Sequence, residues 1–262
     1  MRQRIVTGII GIIPVILILI CNSLIVKIAV GVVSLYALHE MYLAIGIRKH
    51  LLLYITGMAF SIAFLCLGNI NYILFAAVIL LLFILLCKHK SVSVSDISIT
   101  LFMVFYIVYT MSHITLTREL EFGNIYIYVI FIGAFATDTF AYFTGVTIGK
   151  HKLCPEISPK KTIEGAVGGI IGAIICFLCI GLVVEYFSLG NVNYYLLTLL
   201  GLLCGIFSEL GDLAASIIKR QYNIKDYGSI LPGHGGIMDR LDSIIFIAPI
   251  VYYFVKYFTI LS

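Results

Sequence analysis

The sequence has little charge. Only 11% of its 262 residues are Asp, Glu, Lys or Arg, whereas 61% are hydrophobic, and the mean hydropathy is +1.12. A soluble domain of this length needs more charged side chains to cover its surface. This shortage excludes an ordinary water-soluble fold and places the chain in a lipid bilayer.

A disulfide or zinc framework is also lacking. The seven cysteines stand mostly inside apolar runs, where a thiol is typically a small buried side chain. Cys176 and Cys179 have the spacing of a redox or zinc pair, but no second pair of ligands accompanies them. We therefore interpret the cysteines as packing residues.

The basic residues do not form one continuous face. They occur in short clusters between apolar runs, which argues against nucleic-acid binding although the formal net charge is +4. Arg2 and Arg4 precede an apolar run that no small-residue cleavage pattern follows, so we expect an uncleaved first helix.

Apolar runs long enough to cross a membrane recur along the whole chain. A spanning helix needs about 20 mostly apolar residues, and its backbone groups must be satisfied within the segment. The sequence therefore predicts an all-α integral membrane protein with a bundle of about nine transmembrane helices. The candidate spans are 5–24, 26–47, 51–68, 72–87, 98–117, 124–148, 165–187, 194–218 and 241–258.

The distribution of Lys and Arg predicts the orientation of these spans. With a cytoplasmic N-terminus, 14 of the 17 Lys and Arg residues fall on the cytoplasmic side, as expected for short loops. The two longest cytoplasmic connections are then 149–164 and 219–240, and they hold most of the charge-dense sequence. We expect the chemistry to lie there, at the cytoplasmic face of the cell membrane.

A polar stripe runs along the eighth predicted span. Glu209, Asp212, Ser216 and Lys219 follow one another at steps of three or four residues, which puts them on one helix face. Ionised groups at that depth are costly and normally face a cavity, a metal or a partner charge. The alternative is a structural ion pair between Asp212 and Lys219.

The segment after this span is rich in glycine and surrounds His234. Glycines let the backbone approach a ligand closely and direct N–H groups toward phosphate oxygens. Nearby cations would supply positive charge for a polyphosphate. The glycines are Gly228, Gly233, Gly235 and Gly236, and the cations are Lys219, Arg220 and Lys225.

Two acidic residues open the last predicted helix. Asp242 could simply cap that helix, and this alternative stays open. Asp239 has the stronger claim to function, because a second carboxylate near Asp212 would complete an oxygen-rich Mg²⁺ site. The sequence therefore predicts a metal centre at Asp212 and Asp239.

Further polar residues lie upstream. Asp138 stands inside an apolar span, where it is either functional or paired with a Lys or Arg. Ser158, Lys160 and Lys161 precede a glycine-rich helix start, and these lysines would suit phosphate as point charges or else anchor the helix at the membrane surface. The roles of His39 and Glu40 are left open.

The segment SIIKRQYNIKDYGSILPGHGGIMDRLD at 216–242 closely resembles the signature of phosphatidate cytidylyltransferases, the CDP-diacylglycerol synthases. The stretches DTFAYFTG at 138–145 and ISPKKTIEG at 157–165 are similar to other recurrent segments of that family. The resemblance implies that CTP and phosphatidic acid are the substrates and that Mg²⁺ is the metal, with a second, monovalent cation left open. It also implies a homodimer of protomers that each form a funnel facing the cytoplasm.

We accordingly predict one polytopic domain over 1–262, with packing and lipid-facing helices in 1–123 and the catalytic helices and loops in 124–262. An ion-coupled transporter and a related enzyme acting on a polyprenol are the alternatives. The predicted catalytic residues are Asp212, Lys219, Arg220, His234 and Asp239. The predicted substrate-binding residues are Asp138, Ser158, Lys160, Lys161, Ser216, Lys225, Asp226, Gly235, Gly236 and Arg240.

Overall fold

The computed structural model describes residues 14–67, 70–230 and 235–262. Residues 14–20 are helical, and a short π-helical segment at Val104–Tyr109 joins α4 to α5. The helices are α1 (Ser23–Ala44), α2 (Leu51–Leu67), α3 (Ile70–Lys88), α4 (Val94–Met103), α5 (Thr110–Arg118), α6 (Gly123–Thr147), α7 (Ile163–Tyr186), α8 (Tyr194–Gln221) and α9 (Met238–Tyr257).

Six helices in the described part of the chain are long and apolar enough to cross a membrane. They are α1, most of α3, the continuous stretch Val94–Arg118, and α6, α7 and α8, while the apolar α2 has only 17 residues. The prediction of a helical multi-pass membrane protein is confirmed. The count of nine spans and the cytoplasmic N-terminus stay predictions, and residues 5–13 of the first predicted span, 5–24, lie outside the described residues.

Polar side chains set the starts of several helices. Asn22 begins α1, because its Oδ1 accepts a hydrogen bond from the Ile25 N–H at 3.0 Å. Thr162 does the same for α7, accepting from the Gly165 N–H at 3.1 Å. The second span was predicted to begin at residue 26, three residues late, because the apolar pattern was counted without this cap.

The chain divides into two compact units. The first contains the described residues up to Ser112 together with those of 224–239, and the second contains His113–Asn223 and Arg240–Ser262. In the first unit, the buried Tyr42 of α1 donates a hydrogen bond to the Thr100 carbonyl of α4 at 3.0 Å, and its ring lies against Gly57 of α2. The predicted division at residues 123 and 124 stays a prediction.

Small residues let the helices of the second unit approach closely. A Cβ atom at Gly169 of α7 would lie 2.8 Å from the Thr137 carbonyl of α6. One at Gly205 of α8 would lie 2.8 Å from the Ile170 Cα of α7. Helices pack backbone to backbone in this way when glycine faces the neighbour.

The connection 149–164, which was predicted as a loop, contains a β-hairpin. Strand β1 (Lys152–Cys154) pairs antiparallel with β2 (Ser158–Thr162). The second strand ends at the residue that caps α7, so the chain passes directly from strand to helix. The hairpin therefore adds a small sheet to the predicted all-α fold and fixes the position of its lysines.

Candidate functional site

The hairpin directs one lysine onto two carboxylates of α8. The Nζ atom of Lys161 lies 2.6 Å from Glu209 Oε2 and 2.6 Å from Asp212 Oδ2. Glu209 and Asp212 are three residues apart and therefore lie on one helix face. Asp212 thus has an ion-pair partner on the hairpin, and the alternative pairing of Asp212 with Lys219 stays a prediction.

This ion pair is largely shielded from water. The side chains of Lys161, Glu209 and Asp212 retain only 21%, 9% and 28% of their exposure. Burial alone would lower the pKa of Lys161, but the neighbouring Asp212 and Glu209 carboxylates outweigh it and raise that pKa. Lys161 is therefore a stable positive charge at neutral pH.

Two further carboxylates interact with this group. Asp138 of α6 and Asp242 of α9 each interact electrostatically with Asp212. The Ser243 hydroxyl lies 3.4 Å from Asp138 Oδ1 and 3.3 Å from the Ser208 carbonyl, so it can donate to either. Asp242 lies one turn inside α9, which begins at Met238, so the capping alternative for Asp242 is wrong.

We call Asp138, Glu209, Asp212 and Asp242 the carboxylate cluster. In the second unit, Lys161, Lys219 and Arg240 interact with members of this cluster. Carboxylates gathered this closely repel one another, which favours a bound proton or a cation among them.

A predicted site residue, Arg220, connects the end of α8 to the hairpin through a hydrogen bond. The Nε–H of Arg220 donates a hydrogen bond to the Ile157 carbonyl at 3.2 Å. Ile157 directly precedes β2, so Arg220 holds the start of the strand that carries Lys161. Ser158 and Ser216 are half-buried in this unit, and Lys160 is exposed.

The glycine-rich loop in the first unit is organised around Asp239. Asp239 Oδ2 accepts hydrogen bonds from the Tyr227 N–H at 2.8 Å and the Gly236 N–H at 2.9 Å. Gly235 has φ +80°, a left-handed conformation that favours glycine. A Cβ atom there would also lie 2.8 Å from Asp239 Oδ2. Of the predicted loop glycines, Gly235 is therefore required by backbone geometry.

Some predicted site residues fall elsewhere. His234 and Gly233 lie outside the described residues. Lys225 and Asp226 are exposed in the loop of the first unit. Glu209 belongs to the polar stripe but is not among the predicted site residues, and Glu40 was predicted without a role. Both are buried carboxylates. The sequence signal that could have selected them is an acidic residue inside an apolar run.

The chemistry of the donor set suits Mg²⁺, since carboxylate oxygens are its usual protein ligands. Within residues 14–67, 70–230 and 235–262, no group of three or more His, Cys, Asp or Glu side chains forms a ready metal cage. Proteins commonly hold Mg²⁺ by one or two carboxylates plus substrate phosphates, so the donor type is suitable without such a cage. The assignment of Asp212 and Asp239 as ligands stays a prediction.

These features define a class: a multi-pass membrane protein that has buried charge in one unit and an ordered glycine-rich loop in the other. The sequence matches the model of the cytidylyltransferase family over residues 2–258. A phosphatidate cytidylyltransferase of Bacillus subtilis is 34% identical over 271 residues, which cover 99% of this chain and 99% of that relative.

Other similar proteins carry the same name. One from Staphylococcus haemolyticus is 43% identical over 173 residues, or 66% of this chain and 64% of the relative. One from Staphylococcus aureus is 46% identical over 129 residues, or 49% of this chain and 48% of the relative. The chain belongs to the cytidylyltransferase family, and the resemblance found in its sequence is confirmed.

Proposed function

We propose that the protein transfers the CMP group of CTP to phosphatidic acid, giving CDP-diacylglycerol and pyrophosphate for phospholipid synthesis. The curated relatives named phosphatidate cytidylyltransferase, at 34% to 46% identity, support the substrates. The observation that carries the proposal is Lys161, held between Glu209 and Asp212 in a shielded cluster.

The chemistry explains why charge is the main requirement. An anionic oxygen of the phosphatidic acid phosphate attacks the α-phosphorus of CTP and forms a new P–O bond. The bond from the α-phosphorus to the oxygen bridging to the β-phosphorus breaks, and pyrophosphate leaves with its electrons. The attacking oxygen is already ionised, so the protein needs no serine or cysteine nucleophile. It must overcome repulsion between two polyanions.

The cations of the second unit would perform that task. Lys161 carries a positive charge in a poorly solvated position, where contacts with phosphate are strong. Lys160, Lys219 and Arg220 would offset the remaining charge of the triphosphate or the lipid headgroup. Arg220 also holds the hairpin through the Ile157 carbonyl.

Mg²⁺ is the proposed cofactor, with Asp212 and Asp239 as its protein ligands and a second, monovalent cation as an open addition. When bound, the metal would neutralise phosphate charge and assist departure of pyrophosphate. Asp212 brings the carboxylate that Lys161 contacts. Asp239 brings a carboxylate ordered by two backbone N–H groups.

The proposed location is the cytoplasmic face of the cell membrane. The diacyl chains of phosphatidic acid then stay in lipid while CTP arrives from water, so neither substrate leaves its own phase. The excess of Lys and Arg in the predicted cytoplasmic loops supports this orientation. We also propose a homodimer, on the family resemblance.

A pyrophosphate-release assay tests the function. Purified protein with CTP and Mg²⁺ should release pyrophosphate only when phosphatidic acid is added, and the lipid product should be CDP-diacylglycerol. Release with a polyprenyl phosphate, but not with phosphatidic acid, would assign the chain to a different lipid substrate. The absence of release with every lipid phosphate, together with ion-driven uptake in vesicles, would favour the transporter alternative.

A further inference from the structure

Glu40 is a buried carboxylate of α1 that contacts the glycine-rich loop. Glu40 is only 3% exposed, and its Oε2 atom accepts a hydrogen bond from the Met238 N–H at 2.9 Å. Met238 is the first residue of α9 and directly precedes Asp239. Glu40 therefore holds the backbone next to a proposed metal ligand.

Two glycines of the loop lie directly against this carboxylate. A Cβ atom at Gly228 would overlap Glu40 Oε1, and one at Gly236 would overlap Glu40 Oε2. Neither position has a positive φ in the described backbone, so the need for glycine here comes from space. The loop backbone has been brought as close to Glu40 as glycine permits.

Asp239 completes the attachment from within the loop. It accepts the N–H groups of Tyr227 and Gly236, while Glu40 accepts that of Met238. Two carboxylates thus bind three backbone N–H groups on both arms of the loop. Gly236 contacts both of them, since its N–H points to Asp239 and its Cα faces Glu40.

The helix that carries Glu40 is itself well anchored. Two residues further on, Tyr42 reaches the Thr100 carbonyl with its hydroxyl at 3.0 Å. On the other side, His39 Nδ1 lies 2.8 Å from the Tyr54 hydroxyl. These two contacts anchor the part of α1 that carries Glu40.

We propose that Glu40 is a positioning residue for the reaction: it fixes the 235–238 end of the loop and thereby the direction in which Asp239 is presented. The inference rests on the function proposed above. Glu40 acts through backbone contacts and does not itself touch substrate. This role requires an acceptor oxygen at the distance from the backbone of α1 that a glutamate side chain reaches.

That requirement makes glutamine the conservative replacement. Oε1 of Glu40 has no hydrogen-bond partner among the described residues. An amide nitrogen can therefore occupy its place without breaking a hydrogen bond among those residues. The remaining amide oxygen can still accept from the Met238 N–H. Aspartate keeps the charge but is one methylene shorter, and alanine removes the acceptor.

The test compares Glu40→Gln, Glu40→Asp and Glu40→Ala in the full chain in detergent. Hydrogen exchange of peptides covering 224–240 should be faster in the Asp and Ala variants and close to wild type in the Gln variant. With phosphatidic acid and Mg²⁺ fixed, the KM for CTP should rise about 10-fold in the Asp and Ala variants, as expected when a site residue is displaced. The Gln variant should retain most of the activity.

A mutant cycle with Gly236→Ala isolates the contact. The single variant should impair the enzyme, because its added Cβ atom meets the Glu40 carboxylate. In a Glu40→Ala background the same change should add little, since the clash is gone. Gly31→Ala, on the same helix as Glu40, is the matched control, because its Cβ atom meets only Leu65 Cδ1 at 3.6 Å.

Two results would overturn the inference: a Glu40→Ala variant with unchanged exchange and unchanged CTP dependence, or a Glu40→Gln variant as impaired as Glu40→Ala. If the wild type makes no CDP-diacylglycerol, the proposed function fails instead. The exchange measurement then still decides whether Glu40 orders the loop, so the two failures are distinguishable.

Discussion

The two units of the protein use buried carboxylates in different ways. In the second unit, Glu209 and Asp212 face a lysine ammonium group at 2.6 Å. In the first unit, Glu40 and Asp239 face backbone N–H groups at 2.8 to 2.9 Å. A carboxylate paired with a cation controls local charge, whereas one bound to backbone N–H groups controls the shape of a loop.

This difference determines which property an Asp-to-Asn substitution removes in each unit. An amide replaces a carboxylate with nearly the same shape but no charge. At Asp212 the charge interaction with Lys161 is lost. At Asp239 an acceptor oxygen for the Tyr227 and Gly236 N–H groups remains. The same chemical change should therefore alter electrostatics in one unit and leave the loop ordered in the other.

The largest effect is expected for Asp212→Asn. Losing this carboxylate removes a proposed metal ligand and leaves Lys161 paired with Glu209 alone. Turnover should fall about 100-fold or more, the scale seen when a main electrostatic contribution is removed. The measurement is CDP-diacylglycerol formation with membrane insertion monitored in parallel. Near-normal formation would remove Asp212 from the centre of the reaction.

Asp239→Asn should also abolish most turnover, because the amide cannot replace the charge that a metal requires. The loop should nevertheless remain ordered, since one oxygen still accepts from the Tyr227 and Gly236 N–H groups. Hydrogen exchange over 224–240 should therefore match the wild type while activity is lost. Faster exchange together with lost activity would show that Asp239 acts only through loop structure.

A smaller effect is expected for Lys161→Ala. The variant loses a charge-assisted contact worth about 1.5–3 kcal/mol, so the KM for CTP should rise roughly 10-fold or more. Lys152→Ala is the matched control, because Lys152 is an exposed lysine on β1 of the same hairpin. An unchanged CTP dependence in the Lys161 variant would exclude that residue from the nucleotide site.

The same two regions show what a sequence can reveal. Apolar run length predicted the helical membrane fold, and the spacing of Glu209 and Asp212 predicted their common face, because both follow from local periodicity. The partner of Asp212 could not be predicted, since Lys161 is distant in sequence and reaches α8 through a hairpin that has no strong strand pattern. Contacts of Glu40 with a loop about two hundred residues later depend on tertiary packing in the same way.

The smallest effect on chemistry should come from the packing that supports α8. Gly205 lies one turn before Glu209, and a Cβ atom there would meet the Ile170 backbone at 2.8 Å. Because backbone cannot move aside cheaply, Gly205→Ala should lower stability by about 1–3 kcal/mol and reduce the Tm in detergent. Gly31→Ala, with an ordinary contact at 3.6 Å, should not. At temperatures below the Tm, the KM for CTP should stay near the wild-type value. A large rise in this KM would mean that the charge pairing at Glu209 and Asp212 depends on how closely α8 packs against α7.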